Sequence, residues 1–253
     1  MEQEIEQGIN RAILLMQQRL SEKITIGDMA DAAMYSKFHF SRMFHRITGI
    51  SPGRFLSALR LEHAKQLLMS TDLTTMEISH RVGYASVGTF GNRFTSCVGL
   101  PPSVYRQYGG LPCRTGLRFG RHGPAPRKQT AVVCGRLLSP RTDTIGPAFV
   151  GLFPDPLPEG SPAGCAILSR PGPFILEQVP AGTWYLLARC ATMETSADSM
   201  AGVPSIGVHG PFTVHPGSVQ RIDVHLRPRR IADPPALLAI LDRVPATSQH
   251  DAG

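Results

Sequence analysis

The sequence predicts a two-part α + β chain. An all-α first half, residues 1–108, carries one helical motif twice, and a small antiparallel β-sandwich follows over residues 130–245. Three observations predict this. Apolar residues recur at three- and four-residue steps through the first 108 residues. Glycine and proline then crowd a basic stretch, 109–129, that has no apolar period. From residue 130, short β-rich runs alternate with Gly/Pro turns. The last residues, 246–253, read as a flexible tail.

In the first half, Ile5, Ile9, Ala12, Ile13, Met16 and Leu20 lie on one face of a helix. Ala58, Leu59, Leu61, Ala64, Leu67 and Leu68 mark a second, longer one. Proline occurs here only at 52, 101 and 102, each beside a turn-like stretch, as expected of helix starts. The β-rich runs are Thr130–Leu138, Ala148–Phe153, Gly164–Leu168, Phe174–Val179, Thr183–Ala191, Pro211–Val214 and Val219–Leu226. Ile222, Val224 and Leu226 alternate with Arg221, Asp223 and His225, the pattern of a half-buried strand. The segment Ala191–Gly210 is low in strand signal and reads as a lid loop or a long excursion. The apolar run Pro234–Leu241 reads as a last strand, an edge-covering helix or a dimer contact.

Composition excludes several classes. Of 253 residues 42% are hydrophobic and 18% charged, enough apolar content to bury a core. No apolar run approaches the ~20 residues of a membrane span. The start, MEQEIEQGIN, lacks the basic and apolar regions of a secretory signal. Five widely spaced cysteines with no CxxC point to reduced thiols and a cytoplasmic location. No GxSxG, HExxH, Walker loop or GxGxxG with an acidic partner is present, so neither an enzyme nor a cofactor is expected. His209 and His215 with Cys165 or Cys190 match no metal-ligand spacing. Charge is uneven: residues 1–110 carry 12 Lys and Arg against 9 Asp and Glu, 111–145 carry 7 against 1, and 146–253 carry 7 against 9. The basic part suits a polyanionic partner.

The repeat sharpens this reading. Met29-Ala30, Ser36, Phe40, Phe44, Gly49-Ile50-Ser51-Pro52 and Phe55 match Ile78-Ser79, Ser86, Phe90, Phe94, Gly99-Leu100-Pro101-Pro102 and Tyr105. The offset is 50 from the serines onward and 49 before them. Each copy reads as a helix-turn-helix. Ser36 and Ser86 cap the second helix, and the phenylalanines at i and i+4 pin it to the core. The opposite face is left for a DNA major groove. It offers Lys37, His39, Ser41 and Arg42 in one copy, and Val87, Gly88, Thr89, Gly91 and Asn92 in the other. The helix beginning near Arg54 joins the copies as a spacer, so the two could enter successive grooves ~34 Å apart.

The string Ile78-Ser79-His80-Arg81-Val82-Gly83-Tyr84, then Phe90, Phe94, Gly99, Pro102 and Tyr105-Arg106, resembles the second-motif signature of the AraC/XylS family of transcription regulators. The resemblance covers roughly residues 5–108. It implies a seven-helix, double helix-turn-helix DNA-binding domain, with bases read by Phe38, Ser41 and Arg42 in the first copy and by Val87, Gly88, Thr89, Gly91 and Asn92 in the second. Glycines 88 and 91 stand where the family often carries polar readers, and Ser79 where alanine is usual, so the first copy is expected to read more sequence than the second. Arg42 suits guanine O6/N7. Lys37, Arg46, Arg54, Arg60 and Arg93 suit phosphates, which set affinity and register. Between Asp31 and Glu62 lie five cations and no acid.

Ala148–Phe153, Gly172–Leu176 and Val179–Ala188 resemble the transthyretin-like or carboxypeptidase-regulatory-like sandwich. The resemblance implies an effector-binding or dimerising module placed after the DNA-binding domain. The partners expected are double-stranded DNA and, with it, RNA polymerase, a small-molecule effector and a second copy of the chain. No membrane is expected. The competing reading makes the β part a small-molecule-binding or enzymatic domain with the helical half only a scaffold.

Overall fold

A computed structural model of the chain describes residues 2–109, 130–140, 145–192 and 204–239. They form two compact units. Of the described residues, the helical unit takes 2–109 together with Pro156–Gly160 and Arg230–Ala239, and the β unit takes 130–140, 145–155, 161–192 and 204–229. The division is thus not the contiguous one expected, because two short segments from the second half of the chain belong to the helical unit. Apart from residue 109, the basic linker lies outside the described residues, as do the tail 246–253 and the centre of the expected lid loop.

Among the described residues the helical unit has seven helices: α1 (Glu2–Gln18), α2 (Ile26–Ala33), α3 (Lys37–Thr48), α4 (Pro52–Ser70), α5 (Thr75–Arg81), α6 (Val87–Val98) and α7 (Pro102–Gln107). The sequence repeat is a repeat of caps. Thr25 with Asp28 and Thr74 with Glu77 form capping boxes at the starts of α2 and α5, satisfying orphan amides reciprocally. Ser36 and Ser86 accept from the amides of His39 and Thr89 to start α3 and α6. Gly49 and Gly99, at φ 77° and 88°, end those helices in the left-handed conformation that glycine adopts without Cβ strain. Met34 (φ 61°) holds the turn that Gly83 (φ 80°) holds in the second copy.

The core repeats as well. Phe40, Phe44 and Phe55 stack in sequence, with Phe44 and Phe55 edge to face at 88°; Phe90, Phe94 and Tyr105 do the same, at 78° for the last pair. Such pairs contribute ~0.5–1.5 kcal/mol beyond their area burial. The rod between the copies, α4, has 19 residues and so extends about 28 Å at 1.5 Å per residue. Arg106 of α7 donates to the carbonyls of Leu68, Thr71 and Leu73, satisfying the end of that rod.

Leu157, Ala232, Leu237 and Ala239 are buried in the same core as the helices. In the apolar run near 234–241 only Ala239, in a 3-10 turn, has regular structure among the described residues. Residues 234–238 lack regular structure and complete the helical unit. Buried Lys65 of α4 donates to the carbonyls of Ala236 and Leu237 at 3.3 and 3.0 Å, which solvates its ammonium in place of water.

Among its described residues the β unit has nine strands: β1 (Thr130–Leu138), β2 (Ile145–Phe153), β3 (Gly164–Leu168), β4 (Pro173–Pro180), β5 (Gly182–Thr192), β6 (Ser205–Val214), β7 (Val219–Arg221), β8 (Val224–His225) and β9 (Arg227–Pro228). One sheet has the order β4-β1-β7, with β8 also on β1; the other has the order β3-β2-β5-β6-β9. Val133, Leu176 and Val224 from the first sheet share one core with Val150, Leu186 and Ala188 from the second. Trp184 is in this core, and its indole N–H donates to Pro180 O.

The first sheet is mixed, because β7 and β8 run parallel to β1, whereas an all-antiparallel arrangement was expected. The run Val219–Leu226 breaks at Ile222-Asp223. There Ile222 O lies where a Cβ on Gly135 would be, 1.8 Å away, and Asp223 accepts the amide of Arg136. Strand β6 also begins earlier than its composition suggests. Gly207 dilutes the local signal, but a Cβ there would come within 2.5 Å of Val224, so the ladder requires the glycine.

Candidate nucleic-acid interface

Helix α3 buries Phe40, Met43, Phe44 and Thr48 and turns the other face to solvent. On that face Phe38 is 78% exposed. The Arg42 guanidinium lies over its ring, 5.7 Å from the centroid. The two are at i and i+4, where helix geometry brings side chains together, and a guanidinium on an aromatic face is attracted by the ring quadrupole. Arg42 has no ion-pair partner among the described residues, so Phe38 orients it while leaving its donors to solvent. Ser41 is half-buried, and its hydroxyl donates to Lys37 O within the helix. Lys37 is exposed at the first turn, and Arg46 is exposed in the last turn, where a cation complements the helix dipole.

Helix α6 buries Phe90, Phe94, Cys97 and Val98. Its outer face carries Val87, Gly88, Thr89 and Asn92, all exposed, with Gly91 half-exposed. Thr89 accepts from the capping hydroxyl of Ser86 at 2.9 Å. A Cβ built on Gly88 or on Gly91 meets nothing within 4 Å. This face therefore presents backbone, the Val87 side chain, one hydroxyl and one amide, against the aromatic and guanidinium of α3.

The five cations assigned to phosphates fall into three settings. Lys37 and Arg46 stand on the surface of α3. Arg54, in the first turn of α4, and Arg93, on α6 beside Asn92, converge on one carboxylate, Glu159. Arg54 reaches its Oε1 at 2.8 Å and Arg93 its Oε2 at 3.3 Å. The Cys97 thiol also points at Oε2, 3.2 Å away. Burial above all, and then this carboxylate, push the Cys97 thiol up to about 11. Arg60 is in the third setting, met by backbone carbonyls. Its guanidinium donates to Leu20 O at 2.9 Å and Glu22 O at 2.7 Å, tying α4 to the chain just after α1. Burial lowers its pKa from the ordinary value. Gly83 makes room for it, since a Cβ there would fall 2.5 Å from Leu20 O and 2.7 Å from the Arg60 guanidinium. Arg60 is thus a staple inside the unit, since its guanidinium is engaged by backbone carbonyls.

Glu159 was not found from sequence. It lies 105 residues from Arg54 and 66 from Arg93, in a segment with no local signal. The Phe38–Arg42 pair has an i,i+4 signal that sequence does carry.

Two capped, doubled helix pairs with a bare outer face define the class, a helix-turn-helix domain built twice. A family model described as a helix-turn-helix domain matches residues 29–108. The chain is 30% identical over 99 residues to the TetD protein of transposon Tn10 from Escherichia coli, covering 39% of this chain and 72% of TetD. It is 34% identical over 95 residues to the transcriptional regulator YobQ of Bacillus subtilis, covering 38% of this chain and 39% of that relative. Among solved structures it is similar to the DNA-binding domain of the transcriptional factor AdpA in complex with a target DNA, at 27% identity and a TM-score of 0.37, covering 38% of this chain and 87% of that one. The chain belongs to the AraC family of helix-turn-helix regulators. It spans well under half the length of several of these relatives, 39% of YobQ and 37% of the lactose operon activator of Staphylococcus xylosus.

Proposed function

We propose that the chain is a sequence-specific regulator that binds double-stranded DNA with α3 and α6 in successive major grooves. The observation that carries this reading is the Phe38–Arg42 pair, an aromatic 78% exposed with a guanidinium laid on it, on the second helix of a capped helix-turn-helix. Arg42 suits bidentate contact with guanine O6 and N7, and Phe38 suits the methyl of a neighbouring thymine. Ser41 lies between them with its hydroxyl already engaged by its own helix, which leaves it a steric role. On α6, Asn92 suits adenine N6 and N7, and Val87 suits a thymine methyl. Thr89, Gly88 and Gly91 let the backbone approach closely. Lys37 and Arg46 suit phosphates at either end of α3.

For the β unit we propose the transthyretin-like or carboxypeptidase-regulatory-like sandwich, serving to bind an effector or to dimerise. The single core shared by its two sheets supports the sandwich. A cytoplasmic location and contact with RNA polymerase go with this reading.

Selection of bound fragments from random duplex DNA tests it, followed by binding of the selected site across a salt series. Affinity should fall steeply with salt, as phosphate contacts require. Arg42→Ala should cost about 1–3 kcal/mol at one base pair and leave other positions alone. Equal losses on every duplex would refute the assignment. Sedimentation of the full chain, with and without the selected duplex, tests dimerisation.

A further inference from the structure

The segment Pro156–Gly160, which joins β2 to β3 in sequence, is a strap on the helical unit. It is anchored at both ends. Pro156 lies against the end of α3, where a Cβ on Gly49 would come within 2.9 Å of its ring. Leu157 is 1% exposed in the core. Gly160 N donates to Cys97 O at 2.9 Å, near the end of α6. The strap therefore runs from the end of one reading helix to the end of the other, and between its anchors it carries Glu159.

Glu159 gives one oxygen to each of two guanidiniums, from α4 and from α6. A phosphodiester makes the same demand: one negative charge, with two free oxygens that accept from separate donors. Arginine is the cation best shaped for either acid. The side chains of Arg54 and Arg93 are 35% and 36% exposed and that of Glu159 20%, so the cluster is reachable from solvent. The two guanidiniums are about a third exposed, so solvent screens part of their attraction to Glu159 and a competing anion can reach them. One carboxylate against two guanidiniums also leaves the cluster cationic. Its position is apt, because Arg54 follows directly on α3 and Arg93 stands next to Asn92 on α6. With those two helices in successive grooves, the backbone of the intervening turn passes the seam between the motifs.

We propose that Arg54 and Arg93 form one phosphodiester site across the seam of α4 and α6, and that Glu159 fills it when no duplex is bound. The proposal rests on the reading of the chain as a duplex-binding regulator. Binding then exchanges an internal anion for a DNA phosphate, which lowers affinity and salt dependence below what the two arginines alone would give. The anchors at Leu157 and Gly160 let the carboxylate swing aside while the strap stays in place.

The test measures binding of the full chain to its selected duplex by fluorescence anisotropy across a salt series. Glu159→Gln removes the charge and keeps the shape. It should bind about 5–10-fold tighter, with a slope of log affinity against log salt steeper by about one. Arg54→Ala should cost little in the native chain and cancel that gain in the Glu159→Gln background. Glu159→Asp, one methylene too short to span both guanidiniums, should gain less than Glu159→Gln; this variant keeps the test decisive if the amide lowers the melting temperature. If the native chain binds with a steep salt dependence and neither variant gains, Glu159 is only a structural partner and this inference fails alone. Weaker binding by both variants overturns it too. If no variant binds any duplex, the proposed function fails and this inference with it.

Discussion

Replacing Arg60 by alanine separates two accounts of the same residue. Sequence made it a phosphate ligand on the basic stretch of α4; the structure turns it inward. Arg60→Ala would remove two charge-assisted hydrogen bonds, at 2.9 and 2.7 Å, to the carbonyls of Leu20 and Glu22. Bonds of this kind contribute ~1.5–3 kcal/mol each when shielded. The guanidinium is only half-buried, and solvent screens part of that, so the expected loss is about 2–3 kcal/mol in all. For a helical unit of this size that is a fall in melting temperature of roughly 6–15 °C. Arg60→Lys keeps the charge on a single point and should recover part of the loss. Urea denaturation of both variants, read by circular dichroism, gives the stability. Anisotropy with selected and unrelated duplexes gives the binding. A variant as stable as the native chain but uniformly weaker on every duplex would refute the staple and restore the phosphate role.

Other predictions follow from the same geometry. Gly88→Ala and Gly91→Ala add methyls into open space on helical backbone. Each should stabilise the unit by about 0.5–1 kcal/mol, seen as a higher melting temperature, and a fall would mean that the face is covered. Hydrogen bonds from Thr25 and Thr74 hold the Asp28 and Glu77 carboxyls below their ordinary values of 3.8 and 4.5. A depressed carboxyl stabilises the fold above its unfolded pKa and stops doing so as pH falls through its folded one. Stability should therefore decline from about pH 5 downward through those capping boxes, and Asp28→Asn with Glu77→Gln should flatten that limb of an acid titration monitored by helicity. An unchanged acid limb in the double variant would place the acid sensitivity elsewhere.

The parts of this molecule that announce themselves in sequence are those whose physics is local. A serine cap, a glycine in the left-handed region and two phenylalanines at i and i+4 act within one or two turns, so their recurrence at an offset of 50 exposes both helix pairs at once. The repeat also extends to Thr25-Asp28 and Thr74-Glu77, at an offset of 49, a capping-box signature present in the sequence and passed over. Edge effects were less legible. The parallel pairing of β7 and β8 with β1 depends on Gly135 accepting a carbonyl from a segment 87 residues away. The carbonyl partners of Arg60 and the role of Glu159 were not legible for the same reason. A cation's periodicity does not say whether water, a carbonyl or a distant acid meets it. That is fixed by which segments come together in three dimensions.

The composition of the helical core bears on how the chain matures. Leu157, Ala232, Leu237 and Ala239 join side chains that all precede residue 106. On a ribosome the seven helices emerge long before those partners do. At about 5–20 residues per second, the roughly 130 residues between α7 and Ala239 take on the order of 6–25 s to follow. For that interval the nascent helices lack part of their packing: Leu157 arrives with the strap after about 50 residues, and the core closes only when Ala232, Leu237 and Ala239 have followed.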